Sequence, residues 1–246
     1  MPRAIYQITG TDSISFLQGL ITNDVSKIDH GLVYAALLTP QGKYIADFFL
    51  ARHDDTILLD ADATQADALI QRLNMYRLRA DVAILPSALT LSRGTGPIPT
   101  GAFTDPRHPA LGWRLYSETP LPDDGTAWNA LYVAHTIPTS GIELTPDTFI
   151  LEAGFERLNG VDFRKGCYVG QEVTARMKHK TELRKGLVQL EITGSAPVNT
   201  PITADGKPAG TLYSQSGSHA IAYLRYDRAQ GPLRAGEATL TYSNKT

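Results

Sequence analysis

Residues 163–178 read FRKGCYVGQEVTARMK and hold Cys167, the only cysteine among 246 residues. The thiol follows Lys165 by two positions and Arg164 by three, with Gly166 before it and Gly170 after it. A cation close to a sulfur favours the thiolate, the form that attacks electrophiles and binds metals. Glycines at 166 and 170 permit a positive φ or the close approach of another surface. Tyr168, Gln171, Glu172 and Arg176 complete the motif and add a phenol, an amide and a carboxylate near the thiol. Spacing alone leaves two readings open. Cys167 is either a functional thiolate or a small buried hydrophobe in a tight turn, as free cysteines often are.

Downstream, ARMKHKTELRK sets Arg176, Lys178, Lys180, Arg184 and Lys185 against Glu182. Such a run is either a solvated connection or a recognition site for a polyanion, phosphate or the carboxylate tail of a polyglutamylated cofactor. The six histidines show no metal-ligand spacing, and there is no second cysteine for a CxxC pair. One thiol cannot enclose an iron–sulfur cluster, which takes about four such ligands.

On the N-terminal side, RAIYQITG reads as a strand and TDSISFLQGLITNDV as a short helix capped by Asp12 or Thr11, with Ile14, Leu17, Leu20 and Ile21 as its apolar stripe. Three strands follow, joined by turns at Pro40-Gln41-Gly42 and Asp54-Asp55. ATQADALIQRLNMYRL is an amphipathic helix with Ala66, Leu69, Ile70 and Leu73 on one face. Two more strands lead to a Gly- and Pro-rich stretch from Gly94 to Gly112, read as a surface loop. GWRLYS is a strand, and a further helix is predicted to open at Asp123, Asp124 or Thr126 and to stop at Pro138. After the cysteine segment the chain turns to short alternating strands broken by Gly, Pro and Asp-Gly, the texture of a small antiparallel barrel or sandwich. The fold class is therefore α+β with an all-β C-terminal unit, the boundary lying near residues 181–186.

A chain 42% hydrophobic and 20% charged has the make-up of a soluble globular protein. Its formal net charge of −2 gives no general attraction to nucleic acid or to an anionic membrane, so neither is expected as a partner. No apolar run reaches the roughly 18–20 residues of a membrane-spanning helix. A lone thiol fits a reducing compartment, and the expectation is a cytoplasmic protein.

KGCYVGQEVTAR resembles the signature of the YgfZ proteins, folate-binding relatives of the glycine-cleavage aminomethyltransferase, or T-protein. The likeness extends through ITGTDSISFLQGLITNDV, LLTPQGKYIADFFL, MYRLRADV, DPRHPALGWR, IPTSGIELTPDTFILEAGFERLNGVDF and GKPAGTLYSQSGSHAIAYLRYDRA, from about Tyr6 to Leu233. It implies an aminomethyltransferase-like cloverleaf of small α+β lobes, with a two-lobed folate-binding domain over residues 1–181 and a C-terminal antiparallel β-barrel over 182–246. It also implies tetrahydrofolate or another folate as cofactor, and a role in making or repairing iron–sulfur clusters. Partners would be client or assembly proteins, radical-SAM enzymes that modify tRNA among them, and in a eukaryote the mitochondrial matrix would be the compartment.

By position, Trp128 would stack on the folate, and Glu152 would pair with the pterin's amino and ring NH groups. Asp47 would lie near the transferred carbon, Tyr76 and Arg79 would line the pocket wall, and Cys167 would stand at its mouth. The T-protein pattern has two adjacent aspartates where this chain has Ala46-Asp47, and no cysteine in the segment matching KGCYVGQE. Both departures weigh toward an accessory protein. The alternative is a folate-dependent aminomethyl or one-carbon transferase with Asp47 as its acid/base group. The motif does not establish any turnover of the protein's own.

Overall fold

A computed structural model describes residues 2–180 and 182–243. The end expected for the first domain, Thr181, lies outside the described residues. The chain divides into two compact units, Met1–Thr126 with Phe155–Ala175, and Ala127–Gly154 with Arg176–Thr246.

In the first unit, β1 (Arg3–Thr9), β2 (Val33–Leu38), β3 (Tyr44–His53), β4 (Thr56–Asp62) and β5 (Ala83–Pro86) form one antiparallel sheet in the order β2-β3-β4-β1-β5. Both expected turns are present. Gly42 takes φ +75° between β2 and β3, and Asp54 φ +49° in the two-residue loop between His53 and Thr56, which pair. Every residue of β2 is buried, because both faces of the sheet are covered. On one face Val33, Ala35 and Leu37 pack with Ala46, Phe48 and Leu50. Leu17, Leu20 and Ile21, in and just after α1 (Ser13–Gln18), and Leu69 and Leu73 of α2 (Ala66–Arg77) close that core.

Two local expectations need correction. Helix α1 has only six residues, and it buries Ser13 and Leu17, while Ile14, its second residue, lies off that face and is exposed. Asp12 does not cap it; its carboxylate accepts from the Asp81 amide at 2.8 Å instead.

The second face of the sheet is polar and aromatic. Tyr34 and Phe49 lie ring to ring at 5.1 Å, and Phe155 stacks on Tyr34 at 5.1 Å. A second sheet, β6 (Thr90–Gly94), β7 (Phe103–Thr104) and β8 (Trp113–Ser117), runs in the order β6-β8-β7. The stretch Gly94–Gly112 is thus not wholly a loop: it holds β7 and a 3-10 turn at Pro109–Leu111. A two-residue strand is too short for alternation to reveal it. From these elements Arg114 reaches the buried Asp60 and Arg107 pairs with the buried Asp105. Their guanidinium carbons stand 4.0 and 4.9 Å from the Phe49 ring centre. Buried charges persist only when paired and hydrogen-bonded, and here each is.

In the second unit, β9 (Lys185–Thr193), β10 (Pro201–Ala204), β11 (Lys207–Ser216), β12 (His219–Arg225), β13 (Leu233–Ala235) and β14 (Ala238–Thr241) form a closed antiparallel barrel, β10-β11-β12-β9-β14-β13. Alternation puts Leu190, Ile202, Leu212, Ala222, Leu224 and Leu233 inside. Helix α3 (Trp128–Ala134) starts later than predicted, after Ala127. Asp124 spends its carboxylate on the Thr126 and Thr95 amides, at 3.0 and 2.9 Å. The barrel's Gln189 amide caps the end of α3, donating to the carbonyls of Val133 and Ala134. Helix α4 (Gln171–Lys180) begins in the first unit and ends in the second. Among the described residues no helix is long and apolar enough to cross a membrane.

Candidate functional site

The segment that carries the thiol has little regular structure, and side chains from the α1–β2 connection hold it in place. The Thr22 hydroxyl donates to Gly160 O at 2.6 Å and accepts from the Ala36 amide at 2.8 Å. The Asn23 amide donates to both Tyr34 O and Asn159 O. These bonds satisfy the outer edge of β2 and fasten residues 159–160 to it. Gly160 is required there, because a Cβ would stand 2.6 Å from Phe155. Asp162 adds an ion pair to Lys27 at 2.7 Å and accepts from the Arg164 amide.

Lys165 is buried, and its ammonium donates to Gln18 O and Ile21 O at 2.7 and 2.6 Å. Burial pulls its pKa down to about 8, against smaller opposing effects of Asp24 and Asp162. The same ammonium lies 5.0 Å from the centre of the Tyr168 ring, which is also buried. Lys165 was expected to serve the sulfur electrostatically; its cation is engaged by helix-end carbonyls instead.

Beyond the thiol, Gly170 takes φ +83°, and a Cβ there would stand 2.6 Å from Thr39 O. The chain is pressed against the β2–β3 turn at that point. Gly166 has open space where its Cβ would be. Of the two glycines only Gly170 carries the predicted demand. Gln171 and Glu172 open α4, and Arg176 lies exposed on it. Cys167 itself is exposed. The buried-hydrophobe reading is therefore excluded: residues 165 and 168 are sunk in the unit, and the sulfur between them faces water.

Asp47 is buried on the aromatic face of the sheet, across from Ala46 in the apolar core. Its carboxylate accepts from the hydroxyls of Tyr44 at 2.6 Å and Tyr34 at 3.0 Å. Burial, with Asp47 next in order, drives the Tyr34 phenol well above its ordinary pKa. Tyr76 packs on the apolar core and Arg79 is exposed past the end of α2. Tyr34 and Tyr44 were not singled out from sequence, where each reads simply as an aromatic in a strand.

The second unit holds a cavity of about 690 Å³. Its wall includes Glu152, Met177, Leu183, Pro208 and Tyr223, with Arg184, Lys185, Arg225 and Arg228 as cations. Glu152 reaches it because its backbone docks on the barrel: Leu187 N donates to Glu152 O at 2.8 Å. Gly186 permits that approach, since a Cβ would stand 2.8 Å from the same oxygen. The carboxylate accepts from the Tyr223 hydroxyl at 2.6 Å and lies 3.7 Å from Lys185 Nζ. Burial and the Glu152 hydrogen bond push the Tyr223 phenol up.

Trp128, on α3, meets Tyr132 edge to face at 6.3 Å and is not among the residues lining the cavity. Trp128 and Glu152 thus belong to the second unit, and Asp47, Tyr76, Arg79 and Cys167 to the first. Among the described residues no group of three or more His, Cys, Asp or Glu side chains could hold a metal ion. The barrel residues Tyr223, Arg225 and Arg228 were missed from sequence, although the alternation of HAIAYLR puts Tyr223 and Arg225 opposite the barrel-facing Ala222 and Leu224.

Residues 184–245 match the family model of the CAF17 C-terminal β-barrel domain. The chain is 30% identical to the human mitochondrial iron–sulfur cluster assembly factor IBA57, over 96% of this chain and 79% of that protein. It is 29% identical to the mouse protein of the same name, over 94% of this chain and 78% of that one. The IBA57 homologue of Mycosarcoma maydis is 31% identical over 79% of this chain, which spans only 57% of that longer protein. The crystal structure of the glycine cleavage system aminomethyltransferase T from Bartonella henselae superposes with a TM-score of 0.73, at 13% identity, covering 98% of this chain and 83% of that one. The fold is thus the aminomethyltransferase fold with a closed C-terminal β-barrel.

Proposed function

The chain belongs to the IBA57 family of iron–sulfur cluster assembly factors, and from that premise we propose that it helps to assemble or repair clusters in client enzymes, with Cys167 as the group that meets them. The observation that carries this reading is the exposure of the sole thiol between two sunken neighbours, Lys165 and Tyr168. A fixed, accessible sulfur can ligate a cluster iron without the frame rearranging. Since a cluster takes about four ligands, one chain supplies at most a share of them, and a carrier or client supplies the rest. The clients include radical-SAM enzymes that modify tRNA. The relatives named above are mitochondrial, which supports a matrix location for a eukaryotic chain.

Tetrahydrofolate is the proposed cofactor, as in the YgfZ-type proteins, and the Glu152 cavity suits it. The volume falls within the roughly 300–1,000 Å³ usual for small-molecule sites. With one bond taken by Tyr223, the carboxylate keeps acceptor capacity for an amino group and a ring NH side by side. Met177, Leu183 and Pro208 offer apolar surface to a flat ring. When bound, the reduced pterin supplies nitrogens able to accept a one-carbon unit.

Two experiments test the reading. In cells lacking the native gene, Cys167→Ala should fail to restore the cluster content of client enzymes; full restoration would reject the thiol's role. Calorimetry should show tetrahydrofolate binding in the micromolar range, weakened at least tenfold by Glu152→Gln. No binding to the wild-type chain would reject the cofactor.

A further inference from the structure

Leu78 is 89% exposed, more than any other large apolar side chain among the described residues. It follows the last residue of α2 with φ +46° and ψ −105°, and the Ala80 amide donates to Arg77 O at 2.8 Å. That is the second position of a type II′ turn, whose positive φ favours glycine. A leucine is unfavourable there twice over: its backbone is strained and its side chain stays in water. Folding alone gives no reason for this residue.

The turn is nonetheless held firmly. Arg77 Nη1 donates to Val82 O at 3.2 Å, and Val82 N to Ala80 O at 2.9 Å. Asp81 is clamped to the start of α1. Its carboxylate accepts from the Thr11 amide and hydroxyl at 3.0 and 2.9 Å, and its amide donates to the Asp12 carboxylate at 2.8 Å. Leu78 is thus presented by a fixed frame, the preorganisation that favours binding. Around it the exposed side chains are of two kinds. Met75, 64% exposed, and Ile14, two residues past Asp12, add apolar surface. Arg72, Arg77 and Arg79 are exposed on α2 and the turn, while the carboxylates of Asp12 and Asp81 already accept from donors in the clamp. An apolar tip therefore stands in a positive field, on a chain whose net charge is −2.

We infer that this corner of the first unit is the docking surface for the protein that supplies the remaining cluster ligands, and that this protein meets it with an apolar pocket rimmed by carboxylates. The inference rests on the thiol reading given above and names where the partner sits. Two observations select that occupant. Cys167 supplies one ligand of about four, so a second protein has to lie against the first unit. Helix α1 joins the two places, with the Asp81 clamp at its start and, at its end, the carbonyls of Gln18 and Ile21 that hold Lys165. Its six residues span only about 9 Å. A second copy of this chain fits less well, because a two-fold contact would set the same arginines against each other.

The test puts a photoreactive amino acid in place of Met75 in cells lacking the native gene and identifies the adducts by mass spectrometry. Irradiation should join the chain to an iron–sulfur protein. Leu78→Gly, or Arg72→Glu with Arg79→Glu, should cut that yield about tenfold or more. Leu78→Gly should melt no lower than the wild type, since glycine relieves the turn, yet fail to restore the cluster content of client enzymes. An adduct only with a second copy, with lipid or with a protein that binds no cluster would overturn the inference, as would no adduct at all. A yield unchanged in both variants would overturn it, and so would full restoration by Leu78→Gly. Should Leu78→Gly melt lower, the leucine serves the fold and the inference falls. Cys167→Ala leaves the surface intact and should cross-link normally. Full cluster content in that variant would reject the thiol's role, while an adduct that depends on Leu78 would leave the docking surface standing.

Discussion

The ammonium of Lys165 lies 2.6 Å from the carbonyl oxygen of Ile21, across 144 residues of chain. With the bond to Gln18 it ties the thiol-bearing segment to the end of α1. Lys165→Met should leave two carbonyls without their donor, at about 1–3 kcal/mol for each that stays buried. Chemical denaturation should show a lower midpoint.

The same lysine sets a pH dependence. Its folded pKa of about 8 lies below the unfolded value, which is about 10.4. Between those values the unfolded chain binds more protons than the folded one, so stability should rise with pH across that window. Burial pushes the Tyr168 phenol up to about 12, so its contribution falls away only above about pH 10. Melting from pH 7.5 to 9.5 isolates the lysine. The wild type should gain relative to Lys165→Met, and parallel curves would refute the assignment.

The two glycines of the motif should respond differently to alanine. At Gly170 the new methyl would meet Thr39 O at 2.6 Å on a backbone of φ +83°. A loss of about 2 kcal/mol or more is expected from the combined clash and strain. Gly166→Ala meets nothing within 4 Å and should be neutral within about 0.5 kcal/mol. Equal losses at both positions would show that the frame is not anchored as described.

Exposure of Cys167 has a direct chemical readout. Iodoacetamide should modify one thiol per native chain, without denaturant and with little change in melting temperature. A thiol that reacts only after unfolding would remove the basis for its proposed role.

Asp60 takes hydrogen bonds from Arg3, Arg114 and Tyr116 while fully buried. Breaking a buried charge cluster by losing one partner costs about 3–5 kcal/mol, and Asp60→Asn should unfold the first unit at correspondingly lower denaturant. Burial alone would raise the carboxyl's pKa, but Arg3 and Arg114 outweigh it, and the net shift is downward. Its stabilisation should therefore be complete above about pH 4 and disappear as pH falls through the lowered folded value. The acid transition of Asp60→Asn, followed by circular dichroism, should lack that share.

Asp47 separates the accessory reading from the transferase alternative. Asp47→Asn removes one acceptor from the Tyr34 and Tyr44 hydroxyls, a structural loss of about 1–3 kcal/mol. Incubated with tetrahydrofolate and an aminomethyl donor, the wild type should form no methylenetetrahydrofolate. Turnover that vanishes in Asp47→Asn would overturn the accessory reading.

Strands β7, β10 and β13, of two to four residues, are too short for alternation to reveal. The sequence by itself determined the longer strands, the two turns of the first sheet, the all-β C-terminal unit and the motif that holds the thiol. Each depends on neighbours close in the chain: alternation in HAIAYLR, a two-residue loop at Asp54-Asp55, one cysteine in one motif. Tertiary structure alone decided what the polar groups do. Lys165 found carbonyls 144 and 147 positions away rather than the sulfur two residues on. Asp60 met Arg114 across 54 residues, and the Asp12 carboxylate took the Asp81 amide, 69 positions away, rather than an amide of the helix it precedes. Burial pattern is written locally in the order of apolar and polar residues. A charged side chain's partner is chosen by whatever the fold brings within about 3 Å, and no local pattern encodes that choice.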